Sequence, residues 1–166
     1  TTSSFEKVEN ELVDFLSSSI DPDIVLENFS RIIRNAHFPK LWYDEFSDIK
    51  FFNLFLSLCE HCQKAIDLFA EDKFLRDTFL SRECLVTLSN KSFSNLSLKD
   101  FYFRSTVQLS AGIVKPKVFA ELYTEFLNQK IMSLTREFVS DKEWQNNFFI
   151  AAMGSFGSSE LSFASD

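Results

Sequence analysis

Only 3 glycines and 3 prolines occur in this chain of 166 residues. A chain so poor in backbone breakers has few places to reverse tightly, and sheets and barrels need such places often. Long helices joined by short loops are the architecture that remains. The 21 phenylalanines fit it, because many recur three and four residues apart and so fall on one side of successive helices. With 45% of residues hydrophobic, the chain can bury a substantial core, and disorder is not expected.

Following the periodicity gives an irregular bundle of about seven helices. Phe5, Val8, Leu12 and Phe15 mark the first. Asp21-Pro22-Asp23 restarts the chain, with Asp21 as cap and Pro22 at the first helical position, and Val25, Phe29, Ile32 and Ile33 mark the second helix. Pro39 opens a short amphipathic piece carrying Leu41, Trp42 and Phe46. From Asp48 an apolar seam of Phe52, Phe55, Cys59, Cys62, Ile66 and Phe69 runs along one helix, or along two placed end to end. Phe74, Leu75, Phe79 and Leu80 add another short helix. Residues Ser89 to Ser97 read as a loop whose last serine caps a helix running to about Ala111, where Gly112 ends it. Pro116 starts a long helix with Phe119, Tyr123, Phe126, Ile131, Leu134 and Phe138 on its buried side.

After the polar stretch Ser140 to Asn147 the character changes. Phe148-Phe149-Ile150-Ala151-Ala152-Met153 is a continuous apolar run, short enough for a buried strand, and it leads into Gly154-Ser155 and Gly157-Ser158. The expected division is therefore a helical domain over residues 1–145 and the start of an α/β domain over 146–166. In such a strand–turn arrangement, glycine lets backbone N–H groups approach a triphosphate closely, and a serine hydroxyl adds a donor. An acidic residue further along is then placed to hold Mg²⁺ against the same phosphates.

Apolar residue, Gly154, Ser155, ten residues, Asp166: this order resembles the opening signature of the polymerase-β-type nucleotidyltransferase superfamily. Within it, Gly154, Gly157, Glu160, Leu161, Ser165 and Asp166 match the string of the glutamine-synthetase adenylyltransferase family. The helical stretches from Val25 to Leu85 and from Leu98 to Phe138 are similar to that family's region preceding its catalytic domain. The resemblance implies transfer of a nucleotidyl group, AMP from ATP in that family, to a protein hydroxyl such as a tyrosine of glutamine synthetase, or its phosphorolytic removal. It implies Mg²⁺ as cofactor and ATP as substrate. Gly154 and Ser155 would hold phosphate oxygens, and Asp166 would be the catalytic carboxylate and first metal ligand. Gly157, Ser158, Glu160 and Ser165 would support the turn. Two positions depart from the family: Ser155 stands where Lys is common, and Ser158 where a second Gly is common. Ser155 is closer to a sister group resembling PII-protein uridylyltransferases, so the acceptor stays open between glutamine synthetase and a PII-like regulator. The family's second metal carboxylate would lie two residues past Asp166. The chain is therefore expected to be a fragment of an enzyme and not competent alone. A helical interaction or regulatory module without catalysis is the alternative.

Composition sets bounds on partners. The formal net charge is −7 and the pI about 4.9, the opposite of what phosphate neutralisation by a nucleic-acid binder requires, so neither DNA nor RNA is expected as a ligand. The longest apolar run, around Phe51 to Cys59, is far short of the roughly 20 residues that span a bilayer. The start Thr1-Thr2-Ser3-Ser4 lacks the pattern of a signal peptide and an initiator Met, and reads as an internal or processed start. Three cysteines without disulfide-framework spacing fit a reducing cytoplasm. Cys59 and Cys62 have the spacing of a shared zinc. They also sit on the apolar seam, with only Cys84 and His37 as distant further ligands, and are read as core residues.

Overall fold

In the computed structural model the described residues are 2–88, 93, 95–139 and 149–162. The chain is mainly helical, and among the described residues there is no strand. The helices are α1 (Thr2–Ser18), α2 (Pro22–Arg34), α3 (Pro39–Glu45), α4 (Ile49–His61), α5 (Gln63–Glu71), α6 (Lys73–Leu80), α7 (Leu98–Ser110) and α8 (Pro116–Phe138). A 3₁₀ turn at Glu83–Leu85 follows α6, and a single helical turn, α9 (Gly154–Gly157), lies near the end. No helix among the described residues is long and apolar enough to cross a membrane.

The helix starts follow local chemistry. The Asp21 carboxylate accepts from the Ile24 N–H at 3.1 Å, with Pro22 at the first position of α2. Asp48 caps α4 by accepting from the Lys50 and Phe51 amides, and Asp72 caps α6 by accepting from the Phe74 amide. Ser97 and Asp100 form a reciprocal capping box on α7. That helix ends as the sequence suggests: Gly112, at φ +67°, donates to Leu109 O, and the Ile113 N–H reaches Gln108 O at 2.9 Å.

The apolar seam divides at Cys62 into two helices. Asn28, buried on α2, explains how the break is tolerated. Its amide nitrogen donates to Cys59 O at 2.8 Å, satisfying a carbonyl in the last turn of α4, and to Gln63 Oε1 at 2.9 Å. Arg76 does the same for α5, donating to Phe69 O and Ala70 O at 2.9 and 2.6 Å.

Two cores result. The larger joins α1 to α6 with one face of α7 and centres on Trp42. The rings of Phe46, Phe55, Phe69 and Phe79 lie 5.7, 5.7, 5.5 and 6.3 Å from its own. The smaller core joins the other face of α7 to α8, with Phe101 stacked on Phe126 at 4.2 Å and Phe93 edge-on to both. Thus Phe103 and Val107 of α7 serve one core while Phe101 serves the other. Phe93 lies in the stretch read as loop, yet it is fully buried.

Two expectations are corrected. Leu134, assigned to the buried side of α8, is 53% exposed, and its neighbour Met132 is 50% exposed. The smaller core stops near Leu127, so nothing among its residues reaches the last turns of α8. The run expected as a buried strand is not paired into a sheet over its described residues 149–153, although Met153 is extended at φ −128° and ψ 164°, and Phe149 is 88% exposed. A strand persists only where a neighbouring strand takes up its N–H and C=O groups, and the described residues offer none. The domain boundary expected near residue 145 lies outside the described residues, as does the side chain of Phe138.

Among the described residues, four carboxylates are held below their ordinary range. Asp48 is lowered by the Phe51 amide and by Arg82, and Glu60 by the Ser19 hydroxyl and Ile20 amide. Asp67 is lowered by Arg31, and Asp72 by Lys99. A depressed folded-state pKa contributes stability that is fully present above the unfolded values, 3.8 for Asp and 4.5 for Glu, and is lost as pH falls through the folded values. Urea midpoints are therefore expected to hold between neutral pH and about pH 5 and to fall by about pH 3. Asp72→Asn should shrink that fall, and a midpoint independent of acid would contradict the assignment.

Candidate functional site

The C-terminal segment forms a compact turn built from its own residues. Gly154 opens α9 at φ +57°, a conformation that side chains resist, and apart from its chain neighbours and its own helical turn no described atom lies within 4 Å of where its Cβ would stand. Gly157 is required for a different reason: a Cβ there would sit 2.8 Å from Ala152 O, a backbone atom that cannot give way cheaply. The two glycines of the motif thus meet two constraints, one of conformation and one of space.

The turn closes as a complete Schellman cap. The Glu160 N–H donates to Ser155 O at 2.8 Å and the Ser159 N–H to Phe156 O at 3.3 Å, with Ser159 in the left-handed region at φ +60°. The Ser158 hydroxyl lies 3.1 Å from Glu160 Oε2 and 3.3 Å from Gly154 O. Because a hydroxyl has a single proton, the charged carboxylate is its preferred acceptor. Gly154, Gly157, Ser158 and Glu160 are exposed, Ser155 is half-buried, and Leu161, 5% exposed, anchors the segment.

Five of the seven expected site residues, Gly154, Ser155, Gly157, Ser158 and Glu160, therefore share one turn. Ser165 and Asp166, which carries the expected catalytic and metal-binding role, lie outside the described residues. The left-handed Ser159 was not legible, since serine gives no signal for that conformation.

Mg²⁺ coordination calls for several hard oxygen ligands. Within the described turn the carboxylate present is that of Glu160, already accepting from Ser158. No group of three His, Cys, Asp or Glu that could hold a metal occurs among the described residues. The described residues alone do not build a Mg²⁺ site, and no chemical step through the metal follows from them.

The cysteines occupy other ground. Cys59 is fully buried in the larger core, where burial pushes its thiol well up. Cys84 is buried too and pushed up to about 12. Cys62, at the α4–α5 break, has its sulfur 3.9 Å from the Ser110 hydroxyl. Thiols raised in this way remain protonated near neutrality and pack as small apolar groups.

Gly157→Ala is expected to force the turn open through the contact with Ala152 O. Amide hydrogen exchange at Ser159 and Glu160 should quicken while the urea midpoint of the chain holds, since no residue of the turn belongs to either core. Unchanged exchange at those two amides would refute the space requirement.

Comparisons with family models, with curated proteins and with solved structures found no match.

Proposed function

We propose that this chain is the helical region and opening turn of a Mg²⁺-dependent nucleotidyltransferase. Its reaction would be transfer of AMP from ATP to a protein hydroxyl, such as a tyrosine of glutamine synthetase, or removal of that group. In this reading Gly154 and Ser155 take phosphate oxygens, Asp166 takes the metal, and Ser158, Glu160 and Ser165 hold the turn. The observation that supports it is the geometry at Gly154. A left-handed glycine with open space over its α-carbon exposes backbone to close approach, which a triphosphate needs and a side chain would block. Gly157, where a side chain has no room, adds that the motif's spacing answers a backbone requirement.

The test is calorimetric titration of ATP with Mg²⁺ into the chain prolonged by its natural continuation past Asp166, alongside Asp166→Asn and Gly154→Val. Metal-dependent binding that both substitutions weaken at least tenfold is expected, and UTP in parallel distinguishes the uridylyltransferase-like variant. A folded, prolonged chain that binds neither nucleotide would end the catalytic reading. The remaining reading is a helical interaction module, which the exposed Met132 and Leu134 on α8 favour.

A further inference from the structure

We propose that the α4–α5 joint at Cys62 is a switch between its bent form and one continuous helix running from Ile49 to Glu71, with Asn28 as the wedge that keeps it bent. Nothing in the local sequence asks for a break. The stretch Leu58-Cys59-Glu60-His61-Cys62-Gln63-Lys64-Ala65-Ile66 holds no glycine and no proline, and most of its residues suit helix interiors. α2, α4, α6 and α7 each start on an aspartate or serine side chain that accepts from a backbone amide, whereas α5 starts on Cys62, whose side chain caps nothing. The ladder reaches the Cys62 N–H, bonded to Leu58 O at 3.0 Å, and resumes with the Ile66 N–H, bonded to Cys62 O at 3.0 Å. Between them the amides of Gln63, Lys64 and Ala65 find no backbone acceptor among the described residues, and a continuous helix would give each of them one.

A sharp break without proline or glycine arises where a side chain enters the hydrogen-bond ladder. Asn28 does so. Its amide nitrogen takes Cys59 O at 2.8 Å, the carbonyl that the Gln63 N–H would use in an unbroken helix, and holds Gln63 Oε1 at 2.9 Å. The joint is splinted further. Gln63 Nε2 and Arg31 Nη1 both donate to Asp67 Oδ1, at 3.1 and 2.5 Å. Glu60 Oε1 accepts from the Ser19 hydroxyl and the Ile20 amide at 2.5 and 2.8 Å. Asn28 and Arg31 belong to α2, and Ser19 and Ile20 lie just before it, so one stretch of chain supplies the splint. The bend brings the rings of Phe55 on α4 and Phe69 on α5 to 6.1 Å. In one straight helix these residues, fourteen positions apart, would stand about 21 Å apart along the axis. Straightening therefore exchanges part of the larger core for backbone bonds, and it uncovers the apolar side of α5, Ala65, Ile66, Phe69 and Ala70. Lifting α2 off the joint is the event that sets it off.

The test is amide hydrogen exchange and chemical-shift measurement by nuclear magnetic resonance on the 166-residue chain, comparing wild type with Asn28→Leu and the milder Asn28→Ser. With the wedge gone, the Gln63, Lys64 and Ala65 amides should exchange about tenfold more slowly than in wild type, because each gains an acceptor. The Cys62 α-carbon shift should move to its helical value, and the contact between the Phe55 and Phe69 rings should weaken. A purely structural role for Asn28 has the opposite sign. Faster or unchanged exchange at those three amides, with an unmoved Cys62 shift, overturns the switch. Asn28→Ser should move in the same direction as Asn28→Leu by a smaller amount, and it decides the matter should the leucine variant fail to fold. Failure of both to fold also overturns the proposal, because a joint with a second stable form survives the loss of its wedge.

Discussion

Trp42→Ala is expected to destabilise the chain by about 3–5 kcal/mol, the range for removing a large buried aromatic side chain. Trp42 is 2% exposed, and four phenylalanine rings surround it, Phe46 at the C-cap of α3 and one each from α4, α5 and α6. Alanine leaves a cavity that the surrounding helices cannot all collapse into, because α4 and α6 are also held by their Asp48 and Asp72 caps and α5 by Arg76. Edge-on and stacked ring pairs add about 0.5–1.5 kcal/mol each beyond area burial, so the upper part of the range applies. The adjacent Leu41 is 54% exposed, and Leu41→Ala should change stability by no more than about 0.5 kcal/mol. Urea denaturation followed by far-ultraviolet circular dichroism gives both values, and equal losses at the two positions would contradict the core assignment. Total stabilities of small domains are about 5–15 kcal/mol, so the Trp42 variant is expected near the edge of folding.

The second large effect is at Arg76, which is 8% exposed. Replacing a buried charge by an apolar residue is often neutral when both partners go together. Here the partners are the Phe69 and Ala70 carbonyls, which remain in place and lose their donor. Arg76→Met keeps the aliphatic packing and removes both charge-assisted bonds, with an expected loss of about 2–4 kcal/mol. Arg76→Lys, with a donor of different reach, should restore part of it. A Met variant as stable as wild type would mean that water satisfies those carbonyls, and that Arg76 is not what ties α5 to α6.

The helices were legible from residue spacing because each start carries its own chemistry. Asp21-Pro22, Ser97 with Asp100, and Pro116 act through bonds or dihedral limits within a few residues, and the structure places helix starts at each. The aromatic cores were legible as a face on each helix, but their division into two was not. Phe101 and Phe103, two positions apart, lie on opposite faces of α7, and packing sends one to Phe126 and the other to Phe69. The break at Cys62 was left open by the seam, since Cys59 and Cys62 suit one helix as well as two. Asn28, distant in sequence, stabilises the break.

At the candidate site the same division holds. The motif residues Gly154, Gly157 and Glu160 were singled out by type and spacing, and they do share a turn whose backbone demands two of them. The strand expected before that turn is not paired over residues 149–153, because apolar character alone cannot supply a hydrogen-bonding neighbour, and Phe149 and Met153 are left exposed. Residue type and spacing were enough to place most helix starts, the apolar faces and the short segment carrying the Gly-Ser turn, because those properties depend on bonds formed within about one helical turn. Packing alone settled which apolar faces meet and where Arg76, Asn28 and Gln108 send their donors. Each of these depends on groups brought together by packing, and spacing along the chain carries no record of them.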